Sequence, residues 1–194
     1  MLVRQLTSIV LLAVALSGVS CAGSLYKVKP AIELPPLTES AKGASAGGVT
    51  VRAVPLMTDE ESQELFEANL PLSGILAVRV DLVFESGVAL ELKRARFRLR
   101  DGEGKDWKLV SAKQAISQVL KTNEVYTYNP NSRKQFEKEF AAYAVDLKEP
   151  LSDSDRRRQG FLFFQTPKKE PVASPQGLVL SVEGLPQRVE IPLN

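Results

Sequence analysis

Apolar and polar residues alternate most regularly from Leu76 to Phe84, where Leu76, Val78, Val80, Leu82 and Phe84 are separated by Ala77, Arg79, Asp81 and Val83. A period of two sends successive side chains to opposite faces, so this segment reads as a β-strand with Val80 turned inward. Glu85-Ser86-Gly87 supplies a turn. Leu90 and Leu92 resume the alternation, and Ala95, Phe97 and Leu99 carry it on against Arg94, Arg96, Arg98 and Arg100. Asp101-Gly102-Glu103-Gly104 closes that run, and Trp107 and Leu109 begin the next strand. Residues 49–54 form an expected first strand. Gly160-Phe161-Leu162-Phe163-Phe164 is a short unbroken apolar run of the kind found in strands buried on both faces. Residues 178–182 and 188–193, divided by Gly184-Leu185-Pro186, complete a last hairpin.

Three segments change period. Thr58-Asp59-Glu60-Glu61 is a capping box that opens a helix over residues 60–68, and Ser111-Ala112-Lys113-Gln114 opens another over residues 113–121. In residues 132–145, Phe136, Phe140, Tyr143 and Ala144 fall on one helical face, with Lys134, Glu137 and Lys138 opposite. That face is expected to pack across the end of the strands. About seven strands at this spacing look like an immunoglobulin-like antiparallel β-sandwich, here mainly β with about three added helices. The expected organisation is a signal peptide over residues 1–20, a tether over 21–48 and the folded domain over 49–194.

Composition sharpens the picture by what it lacks. The 194 residues carry 25 Lys plus Arg against 23 Asp plus Glu, contain no histidine and hold one cysteine, Cys21. Histidine-dependent nucleophilic catalysis, His/Cys metal sites and disulfide frameworks are therefore excluded. A net charge of +2 gives no electrostatic case for a nucleic-acid partner. No cofactor and no metal are expected.

Arg4 precedes an apolar run over residues 9–16, too short for the roughly 20 residues of a bilayer-spanning helix, and small residues then lead to Cys21. Ser17-Gly18-Val19-Ser20-Cys21 resembles the lipobox of bacterial lipoproteins; Ser20 fits it, and Gly18 departs from the leucine usual there. The resemblance implies a lipid-modified Cys21, a membrane anchor and a domain in the cell envelope. Ala22, where an Asp would signal retention at the inner membrane, implies the outer membrane facing the periplasm. Ser20 and Ala22 also make a small-x-small site for ordinary signal cleavage after Ala22. Between Gly23 and Gly48, Pro30, Pro35 and Pro36 and the run from Lys42 to Gly48 read as a tether. The competing reading docks residues 25–37 on the domain as an extended strand.

Arg94, Arg96, Arg98 and Arg100 form the candidate binding face. Along one side of a strand they would stand about 6.8 Å apart, and guanidinium groups take phosphate and carboxylate in paired hydrogen bonds. In an envelope, the expected partners are an envelope protein, anionic lipid or peptidoglycan. The opposing reading has Asp81, Glu85 and Glu91 neutralise the row from neighbouring strands. Arg156-Arg157-Arg158 is a second basic run, preceded by Asp153 and Asp155 that would compensate it. Tyr126, Tyr128 and Trp107, with Asn129 and Asn131, would make an aromatic platform or the rim of the core. The expected function is a non-enzymatic envelope binding or scaffolding module. The alternatives are a cell-wall hydrolase or lyase using carboxylates such as Glu60-Glu61 or Asp153 and Asp155, and an assembly partner offering an edge strand.

Overall fold

A computed structural model describes residues 34–38, 40–122 and 130–194, apart from the side chains of 130–132. The signal segment, Cys21, Tyr126, Tyr128, Asn129 and the side chain of Asn131 lie outside the described residues.

The fold is mainly β. Eight strands run β1 (Gly43–Ala46), β2 (Val49–Pro55), β3 (Ile75–Phe84), β4 (Arg96–Arg100), β5 (Asp106–Val110), β6 (Arg157–Gln165), β7 (Val179–Glu183) and β8 (Val189–Pro192). Among the described residues three α-helices join them: α1 (Asp59–Phe66), α2 (Ala112–Thr122) and α3 (Pro130–Ala142). Every neighbouring pair is antiparallel, and the strands form a single sheet in the order β1-β2-β3-β6-β5-β4-β7-β8. Antiparallel alternation around eight strands returns β8 to lie beside β1 in the opposite sense, and the two edges approach without a hydrogen-bonded ladder. The result is a barrel-like sheet with one seam, whereas the strand spacing had suggested the two separate sheets of an immunoglobulin-like sandwich. The reason lies in pairing that spacing cannot reveal. β6 returns after α2 and α3 to sit between β3 and β5, so it welds the two halves into one surface.

Alternation decides what faces the barrel interior. Val49, Val51 and Ala53 of β2, Leu76 to Phe84 at every second position of β3, Phe97 and Leu99 of β4, and Leu162 and Phe164 of β6 fill it, with Leu180, Val182 and Ile191. Phe97 and Val80 point inward, as their period requires. β3 and β6 are buried on their other face as well. Ile75, Ala77, Phe161 and Phe163 meet a second core built from Phe66 at the end of α1, Ile116 and Val119 of α2, and Phe136 and Phe140 of α3. The unbroken apolar run of residues 161–164 is thus explained, with odd positions under helices and even positions inside the barrel. Phe66 is the hub, its ring centroid 4.7 Å from Phe140, 5.0 Å from Tyr143 and 5.4 Å from Phe161.

Both capping signals act as read. Thr58 accepts from the Glu61 amide while Glu61 accepts from the Thr58 and Met57 amides. Ser111 and Gln114 cap α2 in the same reciprocal way. Two differences concern boundaries. Gly43–Ala46, placed in the tether by its small residues, is strand β1, paired with β2 and turned by Gly47-Gly48. Gly48 has φ +84°, and a Cβ there would lie 1.9 Å from the Ser86 carbonyl oxygen, so only glycine fits that turn. Upstream, Leu34 packs against the helical core and Pro35 accepts a hydrogen bond from Arg79, so the end of the supposed tether touches the domain, though not as a strand.

Candidate functional site

The helices cover only one side of the barrel. On β4 the inward Phe97 and Leu99 are buried, whereas Arg96, Arg98 and Arg100 are exposed on the outer face. Their extended backbone follows from the strict alternation, and their position in the sheet from pairing with β7: Arg96 opposite Glu183, Arg98 opposite Ser181, Arg100 opposite Val179. Arg94 does not continue the ladder. Leu92–Arg94 is a short 3-10 turn, so Arg94 stands just ahead of the strand row, exposed and making no ion pair among the described residues. The sequence run of four is therefore three in register and one at the entrance.

The acids expected to neutralise the row are elsewhere. Asp81 is fully buried on the outer face of β3, where Arg157 grips both its oxygens at 2.8 and 2.7 Å and Arg52 stands at 3.9 Å. Glu91 pairs with Lys93 at 2.9 Å, a hydrogen bond that holds its carboxyl below the ordinary value. The row meets two other acids: Arg98 lies 3.7 Å from Glu183, and Arg100 donates to Asp106 at 3.0 Å, which raises its pKa. Asp106 comes from β5, joined to β4 by the Asp101–Gly104 turn that the sequence announces, and Glu183 comes from β7, whose neighbourhood to β4 no local pattern announces. Arg98 and Arg100 nonetheless keep side-chain exposures of 62% and 58%. Arg96 donates to the Lys93 and Ala95 carbonyls, which steadies it without neutralising it. Arg188 adds a further cation, paired with Glu190 at 2.6 Å.

Arg156, Arg157 and Arg158 are not part of this face. Arg156 donates to the Phe84 and Glu85 carbonyls, Arg157 holds Asp81, and Arg158 pairs with Asp155 at 2.6 Å. All three are absorbed by the fold. Arg79, also beside Asp81, has its pKa lowered, chiefly by burial, against the raising effect of that carboxylate.

The other chemical candidates resolve into structural roles. Glu61 caps α1, and Asp155 is taken by Arg158, so neither acid pair converges on a cleft. A cavity of about 580 Å³ lies between the β4–β5 turn and residues 166–177, lined by Asp101, Glu103, Trp107 and Glu170. Trp107 is buried against the barrel end and donates its indole N–H to Asp101 at 3.1 Å, so it is no open stacking platform. Burial pushes the Asp101 carboxyl up, but the Trp107 indole and the amides of Lys105 and Glu103 outweigh it and hold that carboxyl below its ordinary range. A carboxylate so held organises a turn and does not donate a proton near neutrality. No described helix is long and apolar enough to cross a membrane, and no group of three or more acidic or thiol ligands suited to a metal ion occurs among the described residues. Comparison with protein-family models, with curated proteins and with solved structures finds no match for this chain.

Proposed function

We propose that this chain is a lipid-anchored module of the bacterial envelope, facing the periplasm, whose β4 arginine face binds or scaffolds an anionic envelope component without catalysis. The observation that carries the reading is the uncovered outer face of β4, where Arg96, Arg98 and Arg100 stand in register and exposed, with Arg94 beside them. Guanidinium groups at strand spacing suit a repeating anion such as peptidoglycan carboxylates or phospholipid headgroups better than one compact ion.

Two outcomes test it. Replacing Arg94, Arg96, Arg98 and Arg100 together by glutamine is expected to leave the melting temperature nearly unchanged, because exposed ion pairs contribute about 0–1 kcal/mol each. The same variant is expected to lose salt-sensitive binding to phosphatidylglycerol vesicles or to purified peptidoglycan, and the arm that is lost identifies the ligand. A parent chain that ignores both at low salt ends the binding role. The anchor is tested separately. The mature parent is expected to partition into detergent, and Cys21→Ser to remain unprocessed or aqueous. An unmodified parent N-terminus beginning at Gly23 rules the anchor out.

A further inference from the structure

Around α2 and α3, which follow β5 in the chain, lie two clefts of opposite character. The first, about 520 Å³, lies between α2 and α3 and is lined by Lys113, Ile116 and Ser117 on one wall and Lys134, Lys138 and Ala141, with the Arg133–Glu137 ion pair, on the other. Lys113, Lys134 and Lys138 are exposed and form no ion pair among the described residues. The acids nearest in sequence are occupied: Glu137 accepts from Arg133 at 2.8 Å, and Glu139 accepts from Gln135 at 2.9 Å. The groove thus carries a cationic rim over a floor that includes Ile116 and Ala141.

The second cleft, about 350 Å³, is lined mainly by Leu109, Ala112, Ala144, Val145 and Leu147, with β6 behind them. Leu109 is one of three large hydrophobic residues exposed among those described, at 41%. The clefts adjoin along the chain, although no residue lines both. Ala112 of the apolar cleft precedes Lys113 of the basic one, and Ala144 lies three residues beyond Ala141. The walls are also fixed, because Val145 donates to the Phe161 carbonyl at 3.1 Å and Phe161 donates to the Tyr143 carbonyl at 2.7 Å.

We infer that this side of the domain binds one anionic acyl lipid, its carboxylate or phosphate head among Lys113, Lys134 and Lys138 and its chain along the cleft beside Leu109 and Ala144. Charge complementarity selects the head, since Lys113, Lys134 and Lys138 stay unpaired and the one acid lining the groove, Glu137, is already paired with Arg133. Apolar continuity selects the tail, since burying a chain against Leu109, Val145 and Leu147 removes hydrocarbon from water on both partners. Lysine suits such a head: flexible stems lie along apolar surface while the amines stay wet, and they act as point charges without fixed geometry. The site is independent of the β4 arginine face and stands or falls apart from it.

The test uses the full-length Cys21→Ser chain, which carries no acyl group at that position, titrated with the fluorescent fatty acid cis-parinaric acid. Saturable binding is expected, with sodium dodecanoate competing and butyrate failing to compete. Lys113→Gln, Lys134→Gln and Lys138→Gln combined should weaken it about tenfold or more, since each lost cation removes a favourable contact with the anionic head. Leu109→Asp, placed at an exposed position so that folding is retained, should weaken it by a similar factor. Absence of saturable binding, an unaltered affinity in the lysine variant, or equal competition by the uncharged dodecyl maltoside would each overturn the assignment.

Discussion

Phe66→Ala is expected to lower the stability of the domain by about 3–5 kcal/mol, the range for removing a fully buried phenylalanine side chain. The position makes the upper half of that range reasonable. Phe66 is 0% exposed and its ring touches those of Phe140, Tyr143, Phe161 and Phe163, so truncation leaves a void walled by four rigid rings drawn from α3, the segment after it and β6. Rings held this way cannot collapse into the space without dragging a helix. For a domain of this size the loss corresponds to a fall in melting temperature of roughly 10 °C. Thermal and urea melts followed by far-ultraviolet circular dichroism and by Trp107 fluorescence measure it. The two probes report different parts of the molecule, since Trp107 belongs to the barrel core and the helices to the outer one. Coincident transitions would show that the two cores melt together, as the double-faced burial of β3 and β6 requires. A variant melting within a degree or two of the parent would mean that the helical layer contributes little to the fold.

How much of this was legible depends on the range over which each signal acts. Period-two alternation is local, and it located β3 and β4 with the inward Val80 and Phe97, while an unbroken apolar run marked β6 and a Gly-Leu-Pro turn marked the β7–β8 hairpin. Capping is local too: Thr58 with Glu61 and Ser111 with Gln114 mark their helices within a residue or two. β1 escaped because Gly43-Ala44-Ser45-Ala46 has almost no apolar amplitude, and it is a strand only because β2 offers its edge. The continuation of β4 through Arg94 was over-read, since a 3-10 turn with Leu92 buried and Lys93 and Arg94 exposed mimics two steps of alternation. Partners were the hidden part. β3 finds β6 across the whole middle of the chain, and with it Asp81 finds Arg157, 76 residues away, so an acid that looked available to the arginine row is buried elsewhere. Glu183 became a neighbour of the row only through the pairing of β4 with β7, whereas Asp106 lies just across the β4–β5 turn. The lysines of α3 were visible as a polar face, but the groove needs Lys113 and Ile116 from α2, and helix pairing leaves no mark in either segment alone.

Asp81 carries the second large effect, and its interest lies in separating what the pair contributes from what its loss costs. The carboxylate is fully buried beneath polar side chains of β2 and β6, and both its oxygens are taken by the Arg157 guanidinium, with Arg52 close by. Asp81→Leu leaves Arg157, Arg52 and Arg79 clustered without an acid among them, and is expected to destabilise the domain by about 3–5 kcal/mol. Arg157 retains 40% side-chain exposure and can turn partly to water, which places the expectation nearer the lower figure. Arg157→Leu strands the opposite charge, a carboxylate with no exposure of its own, and is expected to cost at least as much, because Arg52 at 3.9 Å and Arg79 remain near it but neither replaces the paired hydrogen bonds of Arg157. The double variant removes both charges and puts leucine beside Val83 and Val54 on the same face, so it should recover much of the loss and melt closer to the parent than either single variant. Urea denaturation of the four proteins yields the coupling energy directly. Additive losses would show that Asp81 and Arg157 act separately, and would contradict the paired hydrogen bonds that join β3 to β6.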